Sequence, residues 1–170
     1  MKCPKKMRTH QIQKKIWDRN ELSQKVQTIP TNQQIVFTNG CFDIIHAGHI
    51  DYLEKAAQLG DFFIVAINSD DSVRRLEKSP ARPLQSEYSR TRVMASFSFV
   101  DAVVIFDEDT PKQIIETITP DILVKGGDYK IQDIVGYEWV TKNGGTVTTI
   151  PFIEGYSTTA IEKKILNSNK

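Results

Sequence analysis

The sequence predicts an α/β fold, a doubly wound parallel sheet of five strands with helices on both faces. Two observations carry that prediction. Short continuous apolar runs, of the kind found in strands buried on both faces, alternate along the chain with segments of helical pattern. Loops bearing glycine, histidine or hydroxyl residues follow the first, fourth and fifth of those runs, and in such sheets ligands sit outside the carboxyl ends of strands.

Taken in order, residues 1–9 read as a flexible tail. Residues 10–28 have a helical apolar pattern (Ile12, Ile16, Trp17, Leu22, Val26) that ends at Pro30 and the polar run 31–34. The division is therefore an N-terminal tail and helix over 1–34 and the main domain over 35–170. The first strand is Ile35–Thr38. A helix follows from about Gly48 to Leu59, stopped by Gly60, and Phe62–Asn68 is the second strand. Asp70–Leu76 reads as a short helix, Lys78–Pro83 as a basic loop, 86–98 as a helix and Ala102–Phe106 as the third strand. Pro111–Ile118 is a helix with proline in its first turn, preceded by an acidic run in which Asp109 or Thr110 can cap. Ile122–Val124 is the fourth strand. Residues 131–142 are helical, closed by Asn143-Gly144-Gly145; Thr146–Ile150 is the fifth strand and Thr158–Leu166 the last helix.

Composition narrows the function. With 170 residues, 39% hydrophobic and 25% charged, the chain is an ordinary soluble domain with one core. A formal net charge of +1 gives no support to nucleic-acid binding by bulk electrostatics. The two cysteines, Cys3 and Cys41, suggest neither a zinc site nor a disulfide framework. No apolar stretch suits a secretory signal or a membrane span, so the expected location is the cytoplasm.

Three segments carry chemistry. In Thr38-Asn39-Gly40-Cys41-Phe42-Asp43-Ile44-Ile45-His46-Ala47-Gly48-His49, Gly40 permits a tight turn, and the two histidines are three apart at a helix start, so they face the same way. The free N–H groups and positive dipole of that helix end, with two imidazoles added, suit a polyphosphate. Small Ala47 and Gly48 leave room for phosphates on the backbone. Donors aimed at an α-phosphate under attack stabilise its developing charge, with no protein nucleophile required. The plainer alternatives are two histidines satisfied at a helix start, or a metal pair. The second segment, Lys125-Gly126-Gly127-Asp128-Tyr129, offers close backbone approach, a cation and an acceptor, or an ordinary glycine turn. In the third, Glu154-Gly155-Tyr156-Ser157-Thr158-Thr159, Ser157 or Thr158 caps the last helix, and that helix end forms a second anion site. Asp43 either orients a histidine, binds acceptor hydroxyls or caps the turn; Asp70 contacts the acceptor or caps its helix. Arg74, Arg75, Lys78, Arg82 and Arg90 surround a loop from which any could reach phosphate, though most such charges are a solvated face. Trp17, Tyr52, Trp139 and the phenylalanines read as core. The run Asp107-Glu108-Asp109 reads as a solvated approach to a helix in preference to a metal site.

Gly40-x-Phe42-Asp43-x-x-His46-x-Gly48-His49 resembles the HxGH signature of the cytidylyltransferase-like nucleotidyltransferases, and Glu154-Gly155-x-Ser157-Thr158-Thr159 resembles their second signature. The resemblance runs from about Ile35 to Ile165 and implies a Rossmann-like nucleotidyltransferase fold. Within that superfamily the chain is most similar to the adenylyltransferases of ADP-heptose synthesis, through Phe37–Asp43, Ala66–Asp70 and Val124–Tyr129. This implies AMP transfer from ATP to D-glycero-β-D-manno-heptose 1-phosphate, with release of pyrophosphate. It implies that His46 and His49, with Ser157 and Thr158, act on the phosphates. Thr38, Asn39, Gly40, Cys41, Phe42, Gly48, Lys125, Gly126, Asp128, Ile153 and Thr159 would lie on the nucleotide side, and Asp43, Asp70 and Arg90 would face the acceptor. Mg²⁺ would be held mainly by the ATP phosphates. A homodimer, and a separate heptose kinase alongside, are also implied, with a product used in lipopolysaccharide core or other surface glycans. Two alternatives stay open: a cytidylyltransferase for glycerol 3-phosphate or another small phosphate, and a nucleotide-binding regulatory module without turnover. Phe152 and Ile153 stand where the glycerol-3-phosphate enzymes carry Arg and Thr, which argues against the first.

Overall fold

The computed structural model describes residues 10–76 and 81–168. The expected tail over 1–9 with Cys3, and Lys78 of the basic loop, lie outside the described residues. The chain runs α1 (His10–Lys15), β1 (Ile16–Trp17), α2 (Leu22–Gln27), β2 (Ile35–Gly40), α3 (Ala47–Ala57), β3 (Phe62–Asn68), α4 (Asp70–Arg75) and α5 (Glu87–Ala95). It continues through β4 (Ala102–Phe106), α6 (Lys112–Ile118), β5 (Ile122–Gly126), α7 (Tyr137–Lys142), β6 (Thr146–Ile150) and α8 (Thr158–Ser168). Among the described residues every strand pairing is parallel, and the sheet order is β1-β4-β3-β2-β5-β6.

Successive strand residues face opposite sides of the sheet, and each side is apolar. One layer packs Phe37, Ile64, Val104, Leu123 and Val147 against Leu22 of α2, Ile114, Ile115 and Ile118 of α6 and Val140 of α7. The other packs Val36, Phe63, Val65, Ile67 and Val124 against Tyr52, Leu53 and Ala56 of α3 and Met94 and Ala95 of α5. Most of these side chains are fully buried, each stabilising the fold by about 1.5–3 kcal/mol for the larger ones.

Three expectations change. The segment 10–28 is not one helix. Asp18 accepts the Asn20 N–H at 2.7 Å, a local bond that competes with helix. Ile16 and Trp17 pair with Val103 and Val104 and make a sixth strand at the sheet edge. Trp17 and Ile16 then pack on opposite layers. The helix expected over 131–142 divides into a 3-10 turn at Ile131–Asp133 and α7. Between them Gly136 has φ 97°, and an added Cβ there would stand 2.8 Å from Ile115. Finally, Pro111 itself is the N-cap of α6, with no side-chain cap bond. Asp107 and Asp109 instead pair with Arg75, and Glu108 with Arg19.

Candidate active site

β2 has β3 on one side and β5 on the other, so the chain reverses its direction of winding between β2 and β5. That is where an α/β sheet opens a crevice. The opening is visible in the register. Val36 pairs with Ile122 and Phe37 with Leu123, and there the β2–β5 pairing stops, although both strands run on to Gly40 and Gly126. Side chains bridge the splayed ends. The Tyr52 hydroxyl bonds the buried Thr38 hydroxyl and donates to the Val124 carbonyl at 3.2 Å. Lys125 Nζ donates to Asn39 Oδ1 at 2.9 Å. Burial pushes the Tyr52 phenol far up, so it stays a neutral bridge.

The cleft beyond them has a volume of about 270 Å³. Its β2 side is lined by Asn39, Gly40, Cys41, Phe42 and Asp43, its β5 side by Lys125, Gly126 and Tyr129, and its remaining walls by His49, Tyr52, Arg82, Phe152 and Thr158. Phe42 has φ 48°, a left-handed backbone that costs a non-glycine residue about 1–2 kcal/mol. The turn drives its ring over Gly40, where a Cβ would lie 3.0 Å away, and onto the edge of His49, with centroids 5.6 Å apart.

His46 is the extended N-cap of α3, and its Nδ1 accepts the His49 N–H at 3.4 Å. The two imidazoles stack, with centroids 3.9 Å apart and planes at 24°. Burial lowers the pKa of His46. Burial, then the neighbouring His46, push His49 down to about 4, against a smaller upward pull from the Ile44 carbonyl. Both rings are therefore mainly neutral at pH 7. His49 Nδ1 is buried without a hydrogen-bond partner among the described residues. Gly48 is buried, and an added Cβ would lie 3.1 Å from both His46 Nδ1 and Tyr156 Cβ. The lack of a side chain at Gly48 lets the His46 ring and Tyr156 approach the start of α3.

The second helix end arrives beside the first. Ser157 Oγ accepts the Ala160 N–H at 3.1 Å, capping α8. Thr158 Oγ1 donates to the Ile44 carbonyl at 3.5 Å, and Tyr156 stacks at 6.3 Å from His46. Two helix N-termini thus converge on one cleft. On the β5 side, a Cβ on Gly126 would lie 2.5 Å from the Phe152 ring, which also meets Tyr52 edge-on. Phe152 and Tyr129 are about half exposed, flat apolar surfaces at the rim.

The expected site residues divide accordingly. Asn39, Gly40, Cys41, Phe42, Asp43, His49, Lys125, Gly126 and Thr158 line the cleft. His46 and Ser157 line a groove along α8, together with Tyr156, which is not among the expected site residues. Thr38 is wholly buried beneath, while Asp128, Ile153 and Thr159 are exposed outside it. The three groups expected to face the acceptor each hold the loops around the cleft through hydrogen bonds. Asp43 accepts the N–H groups of Leu84 and Gln85 at 2.9 Å and so anchors the loop before α5. Arg90 is 1% exposed and spends its guanidinium on the Gln85 and Cys41 carbonyls and on Asp70, at 3.0, 2.6 and 2.8 Å. A buried cation must be paired this way, so Arg90 and Asp70 brace the loops from behind. In the sequence Tyr52 reads as core, and a single tyrosine carries no sign of a bridge; Arg82 is one of five charges any of which could reach phosphate, and the structure brings it to the cleft.

Comparison with known proteins places this geometry. The family model described as cytidylyltransferase-like matches residues 37–164. The chain is 54% identical over 136 residues to the bifunctional protein HldE of Citrifermentans bemidjiense, a match covering 80% of this chain and 28% of that protein. It is 53% identical over 154 residues to the bifunctional protein HldE of Campylobacter jejuni, covering 91% of this chain and 32% of the relative. The chain thus spans less than a third of the length of these curated relatives. Among solved structures, a lipopolysaccharide core biosynthesis protein from Thermoplasma volcanium superposes with a TM-score of 0.60 at 28% identity, covering 74% of this chain and 100% of that one. A pantoate-beta-alanine ligase from Francisella tularensis, TM-score 0.57 at 14% identity and covering 86% of this chain and 75% of its own, shares the fold.

Proposed function

The chain belongs to the cytidylyltransferase-like family, and we propose that it transfers AMP from ATP to D-glycero-β-D-manno-heptose 1-phosphate, releasing pyrophosphate and forming ADP-heptose. The observation that carries this reading is the convergence of the α3 and α8 N-termini, with His46, His49 and Thr158, on the crevice between β2 and β5. The similarity to the HldE proteins supports the choice of acceptor.

In this mechanism a phosphate oxygen of the acceptor attacks the α-phosphorus of ATP in line. The new P–O bond forms as the bond from the α-phosphorus to the α,β-bridging oxygen breaks, and pyrophosphate leaves with that electron pair. No covalent enzyme intermediate forms. The residues supply position and charge stabilisation. His49 borders the phosphates, and His46 orients it by stacking and through the bond to its N–H. Thr158 and the free N–H groups at the start of α8 hold the far phosphates, with Ser157 as the cap that shapes that turn. Gly126 allows the Phe152 ring to lie against β5, and the nucleoside rests on the half-exposed faces of Phe152 and Tyr129 in this proposal.

In this proposal Mg²⁺ comes with the substrate, carried as MgATP by the phosphates and water. No helix among the described residues is long and apolar enough to cross a membrane, and the proposed setting is the cytoplasm, with the acceptor supplied by a heptose kinase and the enzyme working as a homodimer. The test is pyrophosphate release from ATP in the presence of the heptose 1-phosphate; absence of release contradicts the reading.

A further inference from the structure

The proposed reaction brings two phosphorylated substrates into one cleft, and their repulsion must be offset on the acceptor side as well as on the ATP side. The histidines, with pKa values lowered by burial, are mainly neutral at pH 7. The lining carboxylate, Asp43, is held by backbone N–H groups. The cationic side chains among the lining residues are Lys125 and Arg82. Lys125 reaches across to Asn39 on the β2–β5 seam. Arg82 stands on the other wall, on the loop that Asp43 ties down two and three residues later at Leu84 and Gln85.

The setting of Arg82 is built. Its side chain is 12% exposed, although the residue lies in a surface loop. Its Nε donates to Glu162 Oε1 at 2.9 Å, and its Nη2 lies 2.8 Å from Glu162 Oε2. Glu162 lies on α8, the helix whose first residue, Thr158, also lines the cleft. This fork-to-fork pair occupies the Nε/Nη2 edge of the guanidinium and fixes its plane, leaving the Nη1 edge for a second planar or tetrahedral oxyanion. The same pair joins the loop before α5 to the helix that borders the phosphates.

Resting on the reading of the site as a sugar-phosphate nucleotidyltransferase, we propose that Arg82 is the ligand of the acceptor's phosphate group, held in orientation by Glu162. Arg82 fixes the attacking phosphate in the cleft, and Glu162 is a positioning residue. Lysine cannot reproduce the fork, because one ammonium cannot serve Glu162 and a phosphate in the same fixed plane.

The experiment compares wild type, Arg82→Lys and Arg82→Ala by initial rates of pyrophosphate release, varying the heptose 1-phosphate and ATP separately. In parallel, calorimetry measures binding of inorganic phosphate with α,β-methylene ATP saturating the nucleotide side. Both variants are expected to raise KM for the acceptor roughly 10- to 100-fold, the scale for losing a charge-assisted hydrogen bond. KM for ATP and the melting temperature stay near wild type, and phosphate binding weakens by a similar factor. An acceptor KM and a phosphate affinity within about threefold of wild type in Arg82→Lys overturn the assignment, as does a parallel rise in KM for ATP. Wild type that binds phosphate in an Arg82-dependent way yet releases no pyrophosphate with the heptose phosphate sinks the proposed reaction and leaves the Arg82 site standing.

Discussion

Thr158 Oγ1 donates to the Ile44 carbonyl at 3.5 Å, across 114 positions of sequence. This bond sets the start of α8 against the loop that ends in the His46 cap of α3. It holds two helix ends, each marginal alone as an anion site, at one cleft.

Replacing Thr158 by Val keeps the shape and removes the donor. The bond is long and half exposed, so its net worth to the fold is at most about 1 kcal/mol. The clamp on the phosphates depends on it more strongly. Thr158→Val is expected to lower kcat by about 10-fold or more while thermal melting stays close to wild type. Equal pyrophosphate release by the variant and wild type would show that the two helix ends do not act together.

His49→Ala removes a donor aimed at the phosphates, and His46→Ala removes the ring that orients it. Each is expected to lower kcat roughly 10²–10³-fold, the scale for one preorganised donor, with the fold retained. Circular dichroism and steady-state rates check both halves. Losses below about tenfold in both variants would remove the role assigned to them.

The depressed His49 pKa makes a prediction in pH. The unfolded imidazole titrates near its ordinary 6.5 and the folded one near 4. Between those values the unfolded chain binds more protons, so stability is full above pH 6.5 and falls as pH drops toward 4. The loss is at most about 3 kcal/mol, and His46, also lowered, works in the same direction. Urea unfolding at pH 7 and pH 4.5 is expected to show a drop that shrinks in His49→Gln. An unchanged drop in that variant would assign the acid sensitivity elsewhere. Bound polyphosphate favours the protonated ring, so ATP binding is expected to take up a proton below neutral pH.

Much of this architecture is legible in the residues. Phe62–Asn68, Ala102–Phe106 and Thr146–Ile150 are strands at their expected limits, because short apolar runs between polar breaks have few other options. The edge strand Ile16–Trp17 is hidden, since two residues carry no period and its partners lie in β4. The break at Gly136 is hidden because its cause is Ile115, far away in sequence. At the site, the histidines and Thr158 are legible because helix-end chemistry is local. The uses of Asp43, Arg90 and Tyr52 are not. That Asp43 anchors a loop and Arg90 braces it is set by tertiary placement, which their letters do not carry. Tyr52 looks like core by its period, and it is core, but its hydroxyl closes the β2–β5 seam.

The central claim is tested most directly by pyrophosphate release from ATP and from CTP, each with D-glycero-β-D-manno-heptose 1-phosphate. The account predicts sustained release with ATP and release at least about tenfold slower with CTP. No release with ATP, or a preference for CTP, would contradict it.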